Sequence, residues 1–67
     1  MANDIKNKLI AKLREIYDNR DFVAGVISNA THPEDRKEIL KYIENGNDVT
    51  IDNIILLSVH LDQKRYG

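Results

Sequence analysis

The chain has no cysteine and no tryptophan, a single proline, three glycines and no excess of either charge. Each shortage excludes something. Without cysteine there are no disulfides, no thiolate metal ligands and no thiol nucleophile. One proline and three glycines leave little material for linkers or for a glycine-rich phosphate loop. Ten basic residues against eleven acidic ones remove the bulk positive charge that draws a protein to nucleic acid or to an anionic membrane. The longest apolar stretch, Ile54 to Leu61, is interrupted by Ser58 and His60, and it falls well short of the roughly 20 residues a membrane span requires. The polar run Met1-Ala2-Asn3-Asp4-Ile5-Lys6 has no signal-peptide character. A cytoplasmic location with no membrane partner is the expectation.

What is present suits a small helical core. The 67 residues make one domain near the lower limit of independent folding. Four amphipathic segments follow one another, with no repeat and no low-complexity stretch. Ile5, Leu9, Leu13, Ile16 and Tyr17 recur at helical spacing, with Ile10 on the flank. Asn3 or Asp4 is the expected cap and Asp18-Asn19 the expected end. The face bearing Lys8, Lys12 and Glu15 should be solvated. A second, shorter helix is expected to start at Phe22 under an Asp21 cap and to bury Phe22, Val23, Val26, Ile27 and Ala30. Gly25 within it lowers helix propensity and suggests close packing of two helices. A strand over 22–28 competes on β-propensity but has no partner strand.

Thr31-His32-Pro33-Glu34 has the spacing of a capping box, with Thr31 as cap and Glu34 reaching back. Pro33 in the first turn sacrifices no intrahelical hydrogen bond. This third helix is read through Ile39, Leu40 and Ile43 to a glycine stop at Asn45-Gly46. Glu34 and Glu38 should pair with Lys37 and Lys41 along it. The fourth helix begins after Thr50, with Val49 and Ile54 placed as a hydrophobic staple. The fold class expected is therefore all-α: one compact domain over 1–67, a bundle of four helices with short loops. Its expected core is Ile5, Leu9, Leu13, Ile16, Phe22, Val26, Ile27, Leu40, Ile43, Ile54, Ile55 and Leu57.

Constellations that carry catalysis are not found. His32, beside a helix start, reads as a surface residue, and His60 as a structural or helix-surface one. Two histidines so far apart, with only carboxylates to complete a set, do not make a zinc site. Asp48 and Asp52 lack the ligand spacing of a calcium loop. No catalytic residue, cofactor or metal is expected, and the chain is read as a non-enzyme.

The fourth helix holds the functional signal. Ile51, Ile54, Ile55, Leu56, Leu57, Val59 and Leu61 cover more than the roughly 100° stripe one buried face needs. Leu56, Val59 and His60 are the expected partner interface, and the chain is read as a small protein-interaction module. The partner is another protein or a second copy in a weak homodimer.

One stretch carries a resemblance. The run from Tyr42 to Ile55, with Glu44-Asn45-Gly46 closing one helix and Thr50 opening the next, resembles the end of the repressor-type helix-turn-helix fold. That resemblance implies DNA binding by the helix before the corner. Its start, however, carries Glu34 and Asp35 where phosphate contacts would fall, so nucleic acid is the alternative and not the expected partner. More broadly, the chain is similar to small helical proteins of Gram-positive bacteria and their phages, which implies no activity.

Overall fold

A computed structural model describes residues 2–46 and 48–67, with side chains from Asp4 onward apart from residue 47. Among the described residues the chain forms four α-helices and no strand: α1 (Ala2–Ile16), α2 (Arg20–Asn29), α3 (Pro33–Glu44) and α4 (Ile51–Tyr66). The all-α class and the four segments agree with the sequence reading, and the strand option over 22–28 falls. The main contacts join alternate helices, α1 with α3 and α2 with α4, while the consecutive pair α2 and α3 hardly touch. With extents of 28 × 26 × 24 Å, the domain is nearly isotropic, which distinguishes it from an elongated up-and-down bundle.

Apolar periodicity sets the core. Leu9 and Leu13 of α1, Phe22 and Val26 of α2, Ile39 and Leu40 of α3, and Ile54 and Leu61 of α4 are buried together with Ala30. Ile5, Ile16, Ile27, Ile43 and Leu57 pack against this cluster half-buried. Ile55 departs from expectation: it is 39% exposed, because Ile54, Ser58 and Leu61 already fill the line of α4 that faces inward. Ile39 and Leu61 are core residues that the apolar pattern left out.

Helix starts differ more than helix bodies. The α2 cap is Asn19, whose Oδ1 accepts from the Phe22 amide at 3.0 Å, so Asp21 lies in the first turn. Helix α3 starts one residue later than a capping box would place it. His32 occupies the cap position without a side-chain hydrogen bond, and the Thr31 hydroxyl lies 3.3 Å from the Tyr66 hydroxyl. Pro33 at the first helical position fits this start, since it has no amide to leave unpaired there. Asp4 sits in the first turn of α1. The side chains of Asn3 and Asn47 lie outside the described residues.

Helix α4 begins as expected. Thr50 Oγ1 accepts from the Asn53 amide at 3.1 Å, and Val49 and Ile54 both join the core. The corner before it is tied at one carbonyl: Tyr42 Oη and Asn53 Nδ2 donate to the Asp48 oxygen at 3.1 and 2.8 Å. Gly46 takes φ +72°, a left-handed conformation that side chains resist, and there the chain leaves α3. Gly25 has a different meaning from the one its position suggested. A Cβ added there meets nothing within 4 Å, so no helix packs closely over it.

Candidate functional site

Helix α4 is inserted into the domain along one line and left open along another. On its inner line Ser58 is fully buried. Its Oγ accepts from Asn29 Nδ2 at 3.2 Å and donates to the Ile55 carbonyl at 2.8 Å, so this buried hydroxyl is satisfied and sets α4 against α2. On the outer side, Ile51 and Ile55 are about one-third exposed, Leu56 is 65% exposed, Val59 is half-buried and His60 is exposed. Ile51, Ile55 and Val59 follow at steps of four along one face, and Leu56 and His60 extend it sideways. The three expected interface residues thus lie on the surface of one helix, and Ile55 joins them.

At the C-terminal end of α4 the chemistry changes. Arg65 donates to Asp35 through Nε (2.9 Å to Oδ2) and a terminal nitrogen (3.0 Å to Oδ1). Its second carboxylate contact, at 3.8 Å, is with the exposed Glu34. Asp35 is 6% exposed, and the Arg65 hydrogen bond holds its carboxyl below the ordinary value of 3.8. Burial opposes that shift, and the charges of Arg65, His32 and Lys64 assist it. The His32 and Tyr66 rings stand 6.3 Å apart beside this bridge.

The sequence reading missed this bridge, although a signal existed. Asp35 lies one turn before Ile39 on the buried line of α3, and a carboxylate on an apolar line needs a cation. The pairs expected within α3 are not formed: among the described residues Glu34 pairs with Arg65, and Glu38, Lys37 and Lys41 make no ion pair. Glu34 and Glu38 instead stand exposed on the helix that the helix-turn-helix resemblance would send to DNA.

A concavity lies between α1 and α2. It encloses about 470 Å³ over Ile10, Val23, Ala24 and Ile27, with Arg14, Asp18 and Arg20 at the end where one helix turns into the other. Ile10 is half-buried and stands apart from the core cluster. Among the described residues no three histidine or carboxylate side chains gather as a metal-binding group, and no helix is long and apolar enough to cross a membrane. No protein-family model, curated protein or solved structure matches the chain.

Proposed function

We propose that the chain is a non-enzymatic protein-interaction module whose contact surface is the outer face of α4, centred on Leu56 and Val59 with His60 at its edge. The observation that carries this reading is Leu56, 65% exposed beside the partly exposed Ile51, Ile55 and Val59. Single exposed apolar side chains are ordinary, whereas contiguous apolar surface on a small domain marks contact with another molecule. Helix α4 is anchored through its opposite line by Ile54, Ser58 and Leu61, which leaves Leu56 pointing outward among the described residues.

Photo-crosslinking in cells tests the reading directly. A photoreactive residue replacing Leu56 should give a discrete adduct with one protein, which mass spectrometry identifies, while the same residue replacing Lys37 on α3 should not. Absence of an adduct from position 56, or an identical ladder from both positions, overturns the proposal. Duplex DNA binding that weakens steeply with salt, with no adduct at position 56, transfers the function to the helix-turn-helix alternative.

A further inference from the structure

We infer that the occupant of this surface is a second copy of the chain, and that the Asp52–Val59 stretch of α4 seats in the α1/α2 cleft of that copy. The inference rests on the reading of α4 as a contact surface and adds what fills it. The cleft has an apolar floor and a cationic end. Arg14 is already held by Asp18 at 3.0 Å, but Arg20 is exposed and makes no ion pair among the described residues. On α4, Asp52 is exposed and equally unpaired.

The two helices carry complementary residues at the same spacing. Arg20, Ala24 and Ile27 of α2 stand at positions i, i+4 and i+7, and so do Asp52, Leu56 and Val59 of α4. Residues so spaced share one helix face. With the two helices side by side and pointing the same way, Asp52 meets Arg20 and the large Leu56 lies over the small, exposed Ala24. Val59 then meets Ile27, which is half-buried at the apolar end of the cleft. An opposite charge at one end, the large Leu56 over the small Ala24 and an aliphatic pair at the other end favour one register and direction.

Helix α2 packs against both α1 and α4, so the cleft and α4 adjoin the same helix in each copy. A twofold arrangement makes both contacts at once and stops at the dimer, whereas a one-sided contact leaves a free cleft and a free face and continues to grow.

Sedimentation equilibrium from micromolar to near-millimolar protein, with charge exchange, tests the inference. The weight-average mass should rise from 7.7 kDa towards twice that value and level off. Arg20→Glu and Asp52→Lys, each checked for native helicity and melting, should weaken association by roughly tenfold or more, and the two together should recover most of the loss. Asp52→Asn, which removes the charge and keeps the size, should weaken association less than Asp52→Lys. A mass of 7.7 kDa at every concentration overturns the inference, and so does growth past the dimer. If Leu56→Glu dissociates the dimer while the charge variants have no effect, alone or together, then α4 is the contact surface and the cleft is not its seat. A position-56 adduct with a different protein and a strictly monomeric chain would likewise leave the α4 surface standing and remove the second copy.

Discussion

Asp35 and Arg65, thirty positions apart, meet as a two-pronged ion pair that joins the first turn of α3 to the last turn of α4. The carboxylate is buried and the guanidinium partly exposed. Planar two-point contacts of this kind are stronger than neutral hydrogen bonds, and removing one partner strands the other. Arg65→Met should therefore lower the melting temperature more than Arg65→Lys does. Asp35→Asn should cost less than Arg65→Met, because it leaves no buried charge without a partner. Thermal denaturation of the three variants checks the order.

The same pair gives the protein an acid limb. The Asp35 carboxyl titrates lower in the folded chain than its ordinary value of 3.8, first through the Arg65 hydrogen bond. A group shifted this way adds its full stability above its unfolded pKa and loses it as pH falls towards the folded one. Stability should thus decline below about pH 4. Asp35→Asn should be less stable at neutral pH and should show a shallower decline. Urea midpoints measured from pH 7 down to the acid limit decide it.

Caps distinguish the actual helix starts from those the local sequence suggests. Asn19→Ala and Thr50→Ala should each lower stability by about 1 kcal/mol, within a range of about 0.5–2. Asp21→Ala and Thr31→Ala remove no cap and should each stay within about 0.5 kcal/mol. Equal losses at Thr31 and Thr50 in urea denaturation would contradict the structure.

The two internal glycines should respond with opposite signs. Gly46 has φ +72°, and Gly46→Ala should cost about 1–2 kcal/mol through left-handed strain. Gly25 is helical with open space where a Cβ would stand, so Gly25→Ala should add about 0.5–1 kcal/mol. Both follow from chemical denaturation of otherwise identical chains.

Ile39 tests the core. It is fully buried, and Ile39→Ala should cost about 2–5 kcal/mol. Ile55→Ala, on the open side of α4, should cost far less of the monomer's stability. A midpoint shift at Ile55 as large as that at Ile39 would mean that α4 is rotated relative to its described position.

Helix bodies were legible because apolar spacing is a local property of the chain. Leu9 and Leu13, or Phe22 and Val26, announce their buried line without knowledge of any partner. Capping is less local. Asn19, Asp21, Thr31 and Thr50 all have the right chemistry, and neighbouring geometry selects among them: α3 starts at Pro33 under His32, while Thr31 turns to Tyr66. The α4 surface and the outward position of Leu56 could be suspected from the surplus of aliphatic residues, but the division of the others between core and surface could not. With seven candidates around the helix, spacing alone puts Ile55 in the core and leaves Leu61 out, because only the positions of α2 and α3 decide between them. The Asp35–Arg65 pair and the α1/α2 cleft join residues from different helices, and periodicity within one helix carries no information about either.

The alternate pairing of α1 with α3 and α2 with α4 makes the two ends of the chain interdependent. A cut in the Ala30–Pro33 connection leaves α1 and α2 on one fragment and α3 and α4 on the other, so each helix is separated from its principal partner. Neither fragment retains a closed core, and each alone should resemble the marginal isolated helices of short peptides. Mixed together, the fragments hold every native interface between them. They should recover helicity as a non-covalent complex, with a midpoint that rises with concentration.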